Sequence, residues 1–311
     1  MKMLNRAVLA TLAASTLAFT AACGGASGGS ASGQPVIGMT ISSLANPFFN
    51  VLKDAAQEAA DKAGVKLVVN DAQGDANTQL SQVQNFVSQG VKAIIINAVD
   101  SDQATPAAKA AENANIPVIA VDRAINNAKI ASFIASDNVQ GGQLAADTLA
   151  KLVGSGDVLH LQGILGTSAS RDRGQGFTNN IKNASAVKVA ATQTAEFDKA
   201  KGLSVTTDLL QAQAGTKGIF AENDDMALGA VQALGDRAGK DIQVVGFDGN
   251  TDALTAIESG KLAATIAQQP KELGRMAIEQ AVKTTKNEAP EAKIAVPVKV
   301  VTKDNVAEFK K

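Results

Sequence analysis

Two aspartates, two arginines and a group of amides recur at similar places in this 311-residue chain. IPVIAVD (116–122) ends on Asp122, with Arg123 next, and IQVVGFD (242–248) ends in the same register on Asp248. KAIIIN (92–97) ends on Asn97, KGIFAEN (217–223) on Asn223 with Asp224 following, and LAATIAQ (262–268) on Gln268. Ser42 and Asn46 follow VIGMTI, while Ile164 and then Arg173 follow VLHLQG. A hydroxyl both donates and accepts, so a polyol calls for carboxylates, guanidiniums and amides together. Two aspartates and two arginines sum to zero, which suits a neutral ligand and lets buried charges compensate one another. Sugars also present C–H faces, which flat rings cover well. Rings are scarce here: ten phenylalanines, no tryptophan and no tyrosine, yet Phe48 and Phe49 stand side by side in NPFF. Taken singly, each residue has an ordinary explanation. Asn97 can end a strand, Asp122–Arg123 can be a surface ion pair, and Asp248–Gly249 reads as a turn. Asn46 and Pro47 suit a helix start, with Phe48 opening its apolar stripe.

The elements that must position them alternate. Short β-branched runs at 36–41, 65–69, 92–97 and 116–122 are separated by helical periodicity at 47–63, 75–89 and 103–114. A second set of runs follows at 157–162, 187–192, 217–223, 242–248 and 262–268. This alternation predicts α/β architecture with parallel sheets covered on both faces. Asn97 and Asp122 lie 25 positions apart, and so do Asn223 and Asp248. Equal spacing, element order and end residues predict two similar Rossmann-like lobes. Ligands of open parallel sheets bind beyond the carboxyl ends of the strands, where all these polar residues fall. First-turn side chains lean toward the helix N-terminus, so Phe48 and Phe49 point at that crevice. Phe49 lies at the edge of its helix's apolar stripe, which weakens a core-only role for it more than for Phe48.

Residues 1–23 have a basic start, an apolar run and small residues before Cys23, the anatomy of an export signal. Cys23 sits in a lipobox-like context, with Thr20 where leucine is usual, and predicts a lipid-attached, membrane-tethered protein on the outer face of the cytoplasmic membrane or in the periplasm. Residues 24–34 read as a Gly/Ser tether. A net charge of −1 and dispersed charges argue against a nucleic-acid partner. A single histidine, His160 in mid-strand, and a single cysteine cannot build a usual metal site. GxSxG, a P-loop and a dinucleotide fingerprint are missing, so no cofactor and no catalysis are expected. Asp122 and Asp248 would be the candidate pair if glycosidase chemistry occurred.

The motifs NPFF, LQGILGTSASRDRGQGF, AENDDMALGA, VVGFDG and GKLAATIAQ resemble the ribose-type branch of the bacterial periplasmic sugar-binding proteins, from about Pro35 to the C-terminus. That resemblance implies capture of D-ribose between two closing lobes and delivery to the membrane permease of an ABC importer. D-Allose, another pentose, or ligand presentation to a chemoreceptor are the alternatives. Carried over residue by residue, it implies sugar contacts from Asn46, Phe48, Phe49, Asp122, Arg123, Arg173, Phe197, Asn223, Asp248 and Gln268. Phe49 and Phe197 would sandwich the sugar, with Ser42, Asn97, Ser136, Ile164 and Phe247 in support. It also implies a three-strand hinge, crossing near 136–138, 268–270 and 296–298. The expected lobes are then 35–136 with 269–297, and 137–268 with 298–311, acting as a monomer.

Overall fold

In the computed structural model, which describes residues 33–310, strands and helices alternate from Val36 onward. The first series is β1 (Val36–Ile41), α1 (Pro47–Ala63), β2 (Lys66–Asp71), α2 (Ala76–Ser88), β3 (Ala93–Ile96), α3 (Thr105–Asn113), β4 (Val118–Val121) and β5 (Ser132–Ser136). The second is α4 (Asn138–Val153), β6 (Gly156–Gln162), α5 (Ser168–Ile181), β7 (Val187–Thr194), α6 (Lys199–Ala212), β8 (Thr216–Ala221), α7 (Asp224–Leu234), β9 (Gln243–Asp248), α8 (Thr251–Glu258) and β10 (Ala264–Ala267). It is followed by α9 (Pro270–Thr285), β11 (Lys293–Val296) and β12 (Lys299–Thr302).

The strands form two six-stranded sheets, ordered β2-β1-β3-β4-β5-β11 and β7-β6-β8-β9-β10-β12. These orders are equivalent place by place. β3 corresponds to β8 and β4 to β9, so the matched spacings ending on Asn97, Asp122, Asn223 and Asp248 reflect a repeated topology.

Each sheet is buried on both faces, which is why its central strands read as continuous apolar runs. In β3, Ile95 joins Leu52 of α1 and Leu273 of α9 on one side. Ile94 and Ile96 join Val83 of α2 and Ala107 of α3 on the other. The second sheet is packed between α4 and α5 on one face and α6, α7 and α8 on the other. Local sequence starts α1 as anticipated: the Asn46 side chain accepts the Phe48 N–H at 2.9 Å, and Pro47 takes the first helical turn.

The chain passes between the sheets after β5, after β10, and between β11 and β12. The crossings are bonded to one another: Asp137 N–H donates to the Val296 carbonyl at 2.9 Å, and the Gln269 amide donates to the Pro297 carbonyl at 2.8 Å. One strand departs from the parallel arrangement: β12 runs antiparallel to β10. The geometry of crossing explains this. A segment leaving one sheet at its carboxyl end enters the other at its carboxyl end, so it must run against those strands. After β5 and β10 a covering helix does so, whereas after β11 the chain enters as a strand. Sequence periodicity also missed β5, β11 and β12. All three are short, and β11 and β12 are sheet edges with exposed residues such as Lys293 and Lys299.

Candidate functional site

The carboxyl ends of the two sheets face each other. All ten residues expected to contact ligand line one space between them, joined by Ala169. Asn46, Phe48 and Phe49 come from the start of α1, and Asp122 and Arg123 follow β4. From the second sheet come Arg173 on α5, Phe197 before α6, Asn223 capping α7, Asp248 ending β9 and Gln268 after β10. Three of these hold a positive φ: 66° at Asp122, 61° at Phe197 and 127° at Asp248. Such conformations cost of the order of 1–3 kcal/mol each in non-glycine residues and concentrate where side chains must be aimed.

The charges are buried and arranged so that they offset one another. Arg123 Nε lies 3.7 Å from Asp122 Oδ2, and Arg173 Nη1 lies 3.7 Å from Asp248 Oδ1. Arg173 is further held by Asn138 Oδ1, which accepts its Nε at 2.9 Å, and by the Glu222 carbonyl, which accepts Nη1 at 2.7 Å. Phe247 lies behind it, with the guanidinium carbon 3.8 Å from the ring centroid. The guanidinium of Arg123 lies 5.3 Å from the Phe49 ring and 5.6 Å from the Phe197 ring, so rings from both lobes flank the same place. Burial pushes the carboxyl of Asp122 above its ordinary range, opposed by Arg123, Arg173 and Asn97. Burial also raises Asp248 well above that range, against the pull of Arg173.

Several polar atoms in this space have no protein partner. Asp122 Oδ1, Arg123 Nε and Gln268 Oε1 are buried without a hydrogen bond, whereas Gln268 Nε2 donates to Asp248 Oδ1 at 2.7 Å. Unpaired buried groups are costly. Two acceptors and a donor, drawn from both lobes, are therefore directed at something that can donate and accept.

The five supporting residues are placed differently. Asn97 stands behind Asp122: its amide donates to Asp122 Oδ2 at 3.4 Å and to the Val121 carbonyl at 3.1 Å, while its Oδ1 accepts the Ser42 N–H. Ser42 and Ile164 line an adjoining groove along the same boundary, and Phe247 backs Arg173. Ser136 is buried at the first crossing, with an unpartnered hydroxyl, and does not line the space between the sheets.

Sequence reasoning placed Asp224 at a strand end but gave it no role, and it missed the rest of the polar scaffold behind the site. Gln79, wholly buried on α2, donates to the Asn97 carbonyl at 2.9 Å and accepts the Val99 N–H at 3.1 Å. Asp224 accepts from the N–H groups of Gly249 and Asn250 at 2.8 Å, and from the Thr265 hydroxyl at 2.7 Å. It thereby fixes the turn after Asp248, and burial pushes its carboxyl up to about 7. Asp224 and Glu222 flank Asn223 at a strand end, the one local signal for them. Asn138 and Gln79 carried none. Among the described residues, no group of three or more His, Cys, Asp or Glu side chains converges to hold a metal ion. Cys23 lies outside the described residues.

Comparison with known proteins matches residues 37–289 to a periplasmic binding protein domain. The chain is 47% identical over 268 residues to the ribose import binding protein RbsB of Escherichia coli, covering 86% of this chain and 90% of that protein. It is 42% identical to the Bacillus subtilis protein of the same name, covering 86% and 87% respectively. Among solved structures, an Actinobacillus succinogenes ABC transporter periplasmic solute-binding protein with bound D-allose superposes with a TM-score of 0.83 at 32% identity, covering 88% of this chain and 100% of that one.

Proposed function

This chain belongs to the periplasmic binding protein family, and from that premise we propose that it captures D-ribose between its lobes and hands it to the permease of an ABC importer. The observation that carries the proposal is the set of unpartnered buried atoms, Asp122 Oδ1, Arg123 Nε and Gln268 Oε1, inside a ring-walled space with compensated charge. A neutral polyol supplies both the donors and the acceptors they need. In this reading Asp122 and Asp248 accept sugar hydroxyls, Arg123 and Arg173 donate to sugar oxygens, and the amides of Asn46, Asn223 and Gln268 do both. Phe48, Phe49 and Phe197 cover the sugar's C–H faces. One chain completes the site, so a monomer suffices. The role is binding and release without chemistry on the sugar.

Calorimetry of the purified mature protein against ribose, allose, xylose, arabinose, galactose and glucose tests this. Micromolar or tighter binding is expected for ribose, with allose the nearest competitor. Silence toward ribose together with binding of a hexose would overturn it.

We also place the protein outside the cytoplasm, held to the membrane through an acylated Cys23. The lipobox-like context and the Gly/Ser stretch after it support this. Labelled fatty acid is expected to enter the wild type and not Cys23→Ser. Equal labelling of both, or of neither, removes the anchor.

A further inference from the structure

Glu222 has a buried carboxylate that touches no part of the space between the sheets. It follows β8 and collects three partners, from β6, from the residue directly after that strand and from α5. His160 Nε2 of β6 lies 2.9 Å from Oε1; the Gly163 N–H donates to Oε2 at 2.7 Å; the Ser170 hydroxyl of α5 donates to Oε2 at 2.5 Å. Arg173, the nearby cation, gives its Nη1 to the main-chain carbonyl of Glu222 instead. A carboxylate buried without a paired guanidinium or ammonium is a poor way to add stability, so its retention needs another reason. Hydrolytic chemistry is not that reason. The Ser170 hydroxyl bonds the carboxylate rather than the imidazole, and His160, Glu222 and Ser170 are all sealed from the cavity.

What stands on the three partners is the binding wall of the second lobe. A Cβ at Gly163 would fall inside the Phe197 ring, so that ring lies directly on the Gly163 backbone. The position of Gly163 therefore sets the depth of the Phe197 wall. Ser170 precedes Arg173 by one helical turn, so anchoring Ser170 fixes how far α5 extends and where the guanidinium sits. His160 ties the same carboxylate to the sheet, stacked against Phe220 with centroids 5.3 Å apart. The residue after Glu222 in the chain is Asn223, another wall residue.

We infer that Glu222 is a positioning residue for sugar recognition: one buried carboxylate sets the Phe197 ring, Arg173 and Asn223 relative to one another without touching the ligand. The inference rests on the sugar-binding function proposed above. Its test compares Glu222→Leu, Glu222→Gln and Ser170→Ala in the mature protein, by calorimetry and by NMR of the sugar-free state. The amide of glutamine can accept from Gly163 and Ser170 through its oxygen and donate to a neutral His160 through its nitrogen. Partners that orient contact residues are worth about 10–100-fold where measured at metal sites, so Glu222→Leu is expected to weaken ribose binding by about tenfold or more at full stoichiometry. Glu222→Gln is expected to stay within about threefold of wild type, because the geometry is retained. In the leucine variant the Gly163 amide proton and the Phe197 ring resonances shift; in the glutamine variant the ring resonances stay. A folded leucine variant with wild-type affinity, or a glutamine variant as impaired as leucine, overturns the inference. Where the leucine variant does not fold, Ser170→Ala decides. Weakened affinity with shifted Phe197 resonances supports the positioning role, and no change in either overturns it. The resonances are read without sugar, so a wild type that fails to bind ribose defeats the proposed ligand and leaves this comparison standing.

Discussion

Replacing Asp122 by alanine is expected to weaken ribose binding by about 2–5 kcal/mol, or about 30-fold to several thousandfold, the range for removing a buried charged hydrogen-bond partner. The carboxylate stands at a positive φ after β4, with Asn97 bonded to Oδ2 and with Oδ1 unpartnered. Calorimetry should therefore show a large loss of affinity. The sugar-free protein should lose some stability as well, because alanine keeps a Cβ at this positive φ and leaves Arg123 without its paired carboxylate, so affinity is read at a temperature where the variant is folded. Wild-type affinity and a lowered unfolding temperature would give Asp122 a structural role only. The same carboxylate makes binding pH-dependent. Burial in the closed arrangement raises the carboxyls of Asp122 and Asp248, and sugar hydroxyls donate to their ionised forms, so binding needs both deprotonated. Affinity should fall as the pH is lowered through the raised range of these carboxyls. Asp122→Ala should flatten its share of this slope.

Gly166→Val is expected to weaken sugar binding by about 1–3 kcal/mol, or about 5- to 150-fold, by opposing closure of the lobes rather than by altering a sugar contact. The lobes meet beside the cavity through three hydrogen bonds: Ser101 N–H to the Gly166 carbonyl at 3.0 Å, Ser168 N–H to the Ser101 hydroxyl at 3.0 Å, and Ala124 N–H to the Ser168 hydroxyl at 2.8 Å. A Cβ at Gly166 would fall inside the Asp100 carboxylate across this boundary. Asp100 has little freedom to move away, because its Oδ1 accepts the N–H groups of Asp102 and Gln103. A two-lobed protein that closes by hinge motion binds in proportion to how readily it closes. Stopped-flow release should be faster in the variant, while sugar-free unfolding should change little, since open lobes do not bring Gly166 against Asp100. Unchanged affinity and release would mean that this boundary does not govern closure. A matching loss of thermal stability would place the fault within one lobe.

The individual site residues differ in how readable they were. NPFF carried its own local instructions, and Asn46 caps α1 with the predicted bond to Phe48. Asp122, Asn223, Asp248 and Gln268 could be grouped from sequence because parallel strands deliver their carboxyl ends to one side, so a strand-end list is already a spatial list. Phe197 had no such signal. It follows β7 in a loop, and only the resemblance to sugar-binding proteins pointed to it. Gln79 and Asn138 were invisible, because a polar residue on a helix declares neither its burial nor its partner. β12 was beyond reach for a related reason. Its direction follows from where the third crossing enters the second sheet, and local periodicity does not encode that.

The sequence by itself determined the α/β alternation, the duplicated topology and the chemical inventory of the cleft. These follow from period, spacing and residue type, which are local or repeated properties of the chain. Tertiary structure alone decided that Asp122 Oδ1, Arg123 Nε and Gln268 Oε1 lack partners, and that Glu222 stands behind both Arg173 and the bed of the Phe197 ring. It also decided that Gly166 meets Asp100 across the lobes. Whether a polar atom is satisfied depends on every segment that folds against it, and those segments lie tens of residues away in the chain.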